Sequence, residues 1–245
     1  MYNLSNKVAL ITGAANGLGK AIAERYGALG ANIVVHYSRD KLLADEVVSK
    51  IKAMGVKVIS VQADVNKGAE IERLFTEAKK AFGKIDIVVA NAENEVTEFT
   101  EDHFSRAIGT NTTGTYFTMR QAAQNVTNNG RIIYIASTMI SFFGTGMTVY
   151  CGSKSASSCL VDILSKEIGY KGITVNAIIP FAVDHAGIFT EADSHPELRK
   201  KLLDSCPMGR LAEMGDVANA AEFFASDLSS FVNGQHLHVN GGATN

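Results

Sequence analysis

Tyr150 and Lys154 stand four residues apart in Tyr150-Cys151-Gly152-Ser153-Lys154, where a helical pattern begins. That spacing places both on one helix face. A free phenol, with a pKa of about 10, exchanges protons poorly near neutrality. A neighbouring ammonium favours the phenolate and lowers that value. A phenol tuned in this way can protonate an alkoxide or deprotonate an alcohol. The spacing is common and carries no function by itself, so its meaning depends on what surrounds it. Ser137 closes the run Gly130-Arg131-Ile132-Ile133-Tyr134-Ile135-Ala136-Ser137, thirteen residues before Tyr150, and Asn111 sits inside a long helical pattern as Asn111-Thr112-Thr113-Gly114-Thr115.

A second chemical signal lies near the start of the chain, in Thr12-Gly13-Ala14-Ala15-Asn16-Gly17-Leu18-Gly19. It follows a strand-like run and opens a helix, the place for a phosphate-binding turn. Glycines let the backbone approach a pyrophosphate, and the amides of the next helix favour its charge. The spacing is G-x-x-x-G-x-G; a P-loop is excluded because Ala14 stands where its first glycine should be and Ala21 follows Lys20. About 20 residues beyond such a turn, an acidic residue would bond the ribose 2′-hydroxyl of NAD. Here the second strand ends in His36-Tyr37-Ser38-Arg39. Tyr37 leaves no carboxylate to repel a 2′-phosphate, Ser38 can donate to one and Arg39 can pair with it. This predicts NADP(H), with NAD as the alternative cofactor; the structural alternative for Arg39 is that it caps or begins an exposed helix.

The elements that must position these residues form a regular alternation. Short β-branched runs at Val8–Ile11, Ile33–Val35, Val56–Val61, Ile85–Val89, Arg131–Ile135, Ile173–Ile179 and around Gln235–Val239 alternate with amphipathic stretches, including about Glu101–Val126, Val149–Tyr170 and Asp216–Ala225. Near-continuously apolar strands separated by helices predict a parallel sheet covered on both faces. The expected fold is α/β, a Rossmann-like doubly wound parallel sheet of about seven strands in a single domain over residues 1–245. All three prolines, Pro180, Pro196 and Pro207, fall in or beside an aperiodic segment from about Phe181 to Met214. Its first part, about 181–206, reads as a mobile lid, and Arg199-Lys200-Lys201 within it as a solvated helix face.

Composition sets outer limits. The 245 residues hold 23 Lys plus Arg against 25 Asp plus Glu, a formal charge of −2, which argues against general attraction to nucleic acid or an anionic membrane. Cys151, Cys159 and Cys206 form no C-x-x-C pair, and this sparse odd count without metal spacing reads as reduced thiols in a cytoplasmic protein. No basic-then-apolar leader opens the sequence and no apolar run approaches a membrane span. Asn3-Leu4-Ser5 and two similar sequons read as chance matches in that setting.

Taken in order, the glycine turn, the strand-terminal serine and the tyrosine–lysine pair make the chain resemble the classical short-chain dehydrogenase/reductase family. The resemblance runs over essentially the whole chain and includes Asn176-Ala177-Ile178-Ile179-Pro180, Pro207-Met208-Gly209-Arg210-Leu211, Asn233-Gly234-Gln235 and Val239-Asn240-Gly241-Gly242. It implies Tyr150 as general acid/base, with Lys154 lowering its pKa and holding the nicotinamide ribose. It implies Ser137 as the donor to the substrate carbonyl and Asn111 as holder of a water linking Lys154 to solvent. Around the cofactor it implies Gly13, Asn16, Gly17, Leu18 and Gly19 at the pyrophosphate, with Tyr37, Ser38 and Arg39 at the ribose. Asp64 would receive the adenine amino group, Asn91 would line the cofactor beside the fourth strand, and Val65, Pro180 and Val183 are further cofactor contacts. Three departures stand out: Ala90-Asn91-Ala92-Glu93 where the family usually has Asn-Asn-Ala-Gly, Pro180-Phe181 where it has Pro-Gly, and His185 where a threonine is expected. His185 reads equally as surface loop or pocket.

Glu93, Met139, Phe143, Met147 and Phe181 are candidate substrate contacts, with Phe142 and Val183 as further apolar walls. The leading functional reading is a carbonyl reductase or alcohol dehydrogenase acting on a small-molecule ketone or alcohol. The second is a 3-oxoacyl-carrier-protein reductase, disfavoured because Asn128-Asn129 is uncharged where a base would dock an acidic carrier. The third is a non-catalytic nucleotide-binding regulator, disfavoured because the Tyr, Lys and Ser are all present. The resemblance also implies a homotetramer.

Overall fold

In the computed structural model, which describes residues 3–93, 100–142, 145–189 and 195–243, seven strands form one parallel sheet. They are β1 (Val8–Ile11), β2 (Asn32–Tyr37), β3 (Val58–Gln62), β4 (Ile87–Ala90), β5 (Arg131–Ile135), β6 (Thr174–Pro180) and β7 (His236–Val239), in the order β3-β2-β1-β4-β5-β6-β7. Leu10 of β1 lies opposite Val34 of β2 on one side and Val88 of β4 on the other. Every residue of β1, β4, β5 and β6 is buried, which explains why these strands read as unbroken apolar runs and not as alternations.

Helices cover both faces. The helices α1 (Gly17–Ala28), α2 (Lys41–Lys52) and α8 (Met214–Ala225) bury Ile22, Tyr26, Val47, Ile51, Val217 and Phe224 on one face. On the other, α3 (Gly68–Phe82), α5 (Thr115–Asn125) and α6 (Thr148–Ile168) bury Leu74, Phe75, Met119, Val161 and Ile168. The expected doubly wound sheet is therefore present. Among the described residues no helix is long and apolar enough to cross a membrane.

Three expectations need correction. The long helix read over 101–126 is α4 (Glu101–Ala107), a π-helical turn at Ile108–Gly114 and then α5; one hydrogen-bonding shift within a continuous coil leaves no mark on the apolar period. The aperiodic segment contains a helix, α7 (Pro196–Ser205), with proline in its first turn and no buried residue. Of its apolar residues only Leu202 and Leu203 are partly buried, against the cluster of Phe181, Cys206 and Leu211, which is too short an apolar stripe to read from sequence. Arg199 on α7 is also not simply solvated: its guanidinium donates to both carboxylate oxygens of Asp184, at 2.7 and 2.6 Å.

Candidate active site

The sheet order reverses between β1 and β4, so the segments leaving those strands diverge and open a crevice at their carboxyl ends. Thr12 stitches its floor. Its hydroxyl accepts from the Asn91 and Ala92 amides at 2.9 and 3.0 Å and donates to the Val89 carbonyl at 3.3 Å. The Asn91 side chain donates to the carbonyls of Thr12 (2.9 Å) and Gly13 (3.2 Å). Gly13 takes a left-handed φ of +64°, and its amide donates to His36 Nδ1 at 3.0 Å. Since Nδ1 must accept that bond, the proton sits on Nε2, which donates to the Ala63 carbonyl at 2.9 Å. Burial pushes His36 down to about 4, against the upward pull of the Ala63 carbonyl and Asp64, so the ring is neutral. Sequence reading did not single out Thr12 or His36; the one available signal was a polar residue at the end of each of two buried strands.

The glycine turn fits a pyrophosphate. A Cβ at Gly19 would lie 2.2 Å from the Gly13 carbonyl oxygen and 2.5 Å from Asn91 Nδ2, so only glycine allows the turn to fold this tightly onto α1. Asn16, the residue before α1, is exposed and its side chain does not cap the helix. The first amides, at Gly17 and Leu18, are left for an outside acceptor. Further along the crevice Tyr37 is buried while Ser38 and Arg39 are exposed. Asp40, not Arg39, caps α2, accepting from the Leu43 amide at 3.1 Å, and Arg39 makes no ion pair among the described residues. Ser38 and Asp64 line one polar cleft with Gln62, Lys67 and Arg73. Asp64 already accepts from the Asn66 amide at 3.0 Å, and Val65 is buried beside it.

The first two turns of α6 carry Tyr150 and Lys154, 5% and 1% exposed. Lys154 Nζ donates to the carbonyl of Ile135, the last residue of β5, at 3.1 Å, and pairs with Glu93 Oε2 at 2.5 Å. The same Glu93 oxygen accepts from Tyr150 Oη at 3.2 Å. The ammonium also lies 5.6 Å from the Tyr134 ring centre and 5.9 Å from that of Tyr150. Burial would lower the Lys154 pKa, but the Glu93 charge, with Tyr134 and Tyr150, outweighs it and holds the ammonium above its ordinary value. Burial pushes the Tyr134 phenol up.

Ser137 lies two residues beyond the end of β5 and is half-buried, its hydroxyl accepting from the Met139 amide at 3.3 Å. Asn111 lies fully buried in the π-helical turn. Its side chain donates to Ser153 Oγ at 2.9 Å and its carbonyl accepts from Ser157 Oγ at 2.7 Å. The turn thus grips α6 on both sides of Lys154. Met139 and Met147 are half-buried and Phe142 is exposed, while Phe143 lies outside the described residues. Phe181, a candidate substrate wall, packs with Cys206 and Leu211 in a small apolar cluster and lines a cleft with Arg210 and His238. Val183 pairs with Ala212 and joins the core beneath α1 and α8. Pro180 ends β6, buried opposite Val239. His185 is exposed, at φ +59°.

Comparison with known proteins agrees with this arrangement. The family model described as "Enoyl-(Acyl carrier protein) reductase" matches residues 13–244. Versicolorin reductase stcU of Emericella nidulans is 36% identical over 256 residues, covering 99% of this chain and 97% of the relative. The hydroxynaphthalene reductase-like protein Arp2 of Metarhizium robertsii is also 36% identical, over 98% and 96%. Among solved structures, a short-chain dehydrogenase from Burkholderia cenocepacia J2315 in complex with NADP superposes with a TM-score of 0.93 at 28% identity, covering 99% and 100%. The angucycline C-6 ketoreductase LanV with bound NADP gives 0.91 at 30% identity, covering 99% and 97%.

Proposed function

This chain belongs to the classical short-chain dehydrogenase/reductase family, and from that premise we propose that it is an NADP(H)-dependent reductase interconverting a ketone and a secondary alcohol. The observation that carries the reading is the buried Tyr150–Lys154 pair, held to the end of β5 by the Ile135 carbonyl and to Glu93, two residues beyond the Asn91 that bonds the glycine turn. When bound, the nicotinamide supplies the hydride. Tyr150 gives the proton to the nascent alkoxide, and Ser137, at the end of β5, holds the carbonyl oxygen as negative charge develops. Lys154 and Asn111 support proton return to Tyr150. Gly13, Gly17 and Gly19 would admit the pyrophosphate, and Ser38 and Arg39 would hold a 2′-phosphate.

Support for NADP comes from the two similar structures that contain it. Support for a ketone substrate comes from relatives named as reductases and ketoreductases. The name hydroxynaphthalene reductase-like makes fused-ring phenolic compounds the first substrates to test. A carrier-linked acyl substrate is the second reading, favoured by the family model's description; Asn129 argues against it, being an uncharged turn residue whose amide donates to the Lys171 carbonyl. A homotetramer in the cytoplasm completes the proposal, and the exposed Phe231, Tyr170 and Leu237 give it surfaces to bury.

The deciding experiment is Tyr150→Phe. Turnover is expected to fall about 10²–10⁴-fold, while the NADPH dissociation constant stays within a few-fold because the ring still packs. Activity within tenfold of wild type rejects Tyr150 as the acid/base.

A further inference from the structure

The Glu93 carboxylate is the feature that the proposed chemistry does not use, and it lies against the two residues that chemistry depends on. We propose that Glu93 is a positioning residue that holds Tyr150 in its protonated, proton-donating form, setting the enzyme toward carbonyl reduction near neutrality and confining alcohol oxidation to alkaline conditions. The proposal rests on Tyr150 being the acid/base.

The geometry carries it. One oxygen, Glu93 Oε2, receives both the Tyr150 hydroxyl at 3.2 Å and the Lys154 ammonium at 2.5 Å. A carboxylate only accepts hydrogen bonds, so the contact with Tyr150 exists while Tyr150 is a phenol. Removing that proton would bring two anionic oxygens to the same separation, a like-charge contact that disfavours ionisation. The ammonium that would otherwise stabilise a phenolate is itself committed: it sits against Glu93, and 5.9 Å from the Tyr150 ring centre.

Among the described residues, the groups able to carry charge around Tyr150 are Lys154 on its own helix, Glu93 from the turn after β4 and Tyr134 on β5, whose phenol burial pushes up toward the neutral form. Asn111 and Thr112 of the π-helical turn are uncharged and bound to Ser153. Glu93 keeps 33% of its side chain exposed, so water moderates its field without abolishing it. In reduction, the O–H bond of Tyr150 breaks as the alkoxide takes its proton, and Glu93 then favours uptake of a replacement proton. In oxidation, the alcohol proton must pass to a Tyr150 phenolate, the form Glu93 opposes.

The test needs no substrate for its first arm. Phenolate absorbance of the cofactor-free protein is followed against pH, and subtraction of the Tyr150→Phe curve isolates Tyr150. Glu93→Gln preserves shape and removes the charge, so the Tyr150 midpoint is expected to fall by about one pH unit or more. Glu93→Ala is measured beside it, so that a folding defect in one variant leaves the other to decide. In the second arm, the acid limb of kcat/KM for alcohol oxidation is expected to move down by the same amount, since that profile reports the free enzyme. A Tyr150 midpoint that stays or rises in the folded variants overturns the proposal. A midpoint that falls while the oxidation profile stays fixed overturns the directional role. The titration stands apart from Tyr150→Phe turnover, so failure of the assigned chemistry and failure of the Glu93 role give different results.

Discussion

Arg39 is exposed, makes no ion pair among the described residues and directly precedes the Asp40 cap of α2. A guanidinium in that state is available to a phosphate, and a charge-assisted bond contributes on the order of 1.5–3 kcal/mol. Arg39→Ala is therefore expected to lower the NADPH-over-NADH ratio of kcat/KM by roughly ten- to a hundredfold. An unchanged ratio, or a wild type that prefers NADH, refutes the assignment. The legibility of single residues follows the same logic. Tyr150, Lys154, Ser137 and Asn111 stand out only as an ordered set that resembles a family, since the spacing of any one pair is too common to carry a function. Glu93 was readable as a departure, but its partners were not: Tyr150 is 57 residues away, and that contact depends on how two chain segments meet. Thr12 and His36 were unreadable as site residues, because a hydrogen bond that closes a loop has no period in the sequence.

His36 acts between elements. It joins the turn after β1, the end of β2 and the end of β3 through its two ring nitrogens. Protonation would turn Nδ1 from acceptor to donor against the Gly13 amide. The folded ring resists protonation to about pH 4, whereas an unfolded histidine takes a proton below about 6.5. Between those values the unfolded state holds more protons, so stability declines as pH falls. The contribution is complete above about pH 6.5 and drains away toward 4, amounting to at most about 3 kcal/mol. His36→Asn, which can still accept from Gly13, is expected to melt with a weaker pH dependence between about pH 7 and about pH 5 than wild type. Parallel melting curves for the two proteins would remove His36 from the acid response. At this scale the strands were the most legible part, because their burial is written into composition. The π-helical turn and α7 were hidden, the first within an unbroken coil and the second because, of its apolar residues, only Leu202 and Leu203 are partly buried.

Over the whole molecule, exposed apolar residues gather toward the β7 end. Phe231 is fully exposed, Tyr170 82% and Leu228 57%, and β7 itself is an edge strand with Leu237 partly open. Unpaired edges and apolar patches of this kind are normally covered. Sedimentation of the wild type is expected to give four times the chain mass, and Phe231→Asp to shift the distribution to smaller species. A monomeric wild type, or an unaffected variant, removes this surface from the assembly. The strand order has a separate consequence, for how the protein is made. Apart from the β1–β4 pairing, every strand lies beside the strand before it in the chain. A polypeptide leaving the ribosome amino end first can lay β1 to β3 in one direction, return once to dock β4 on β1, and then add β5, β6 and β7 to a single advancing edge. Each arriving strand finds its neighbour already in place, and only the one return crossing must reach back past β2 and β3 to a partner made much earlier in synthesis.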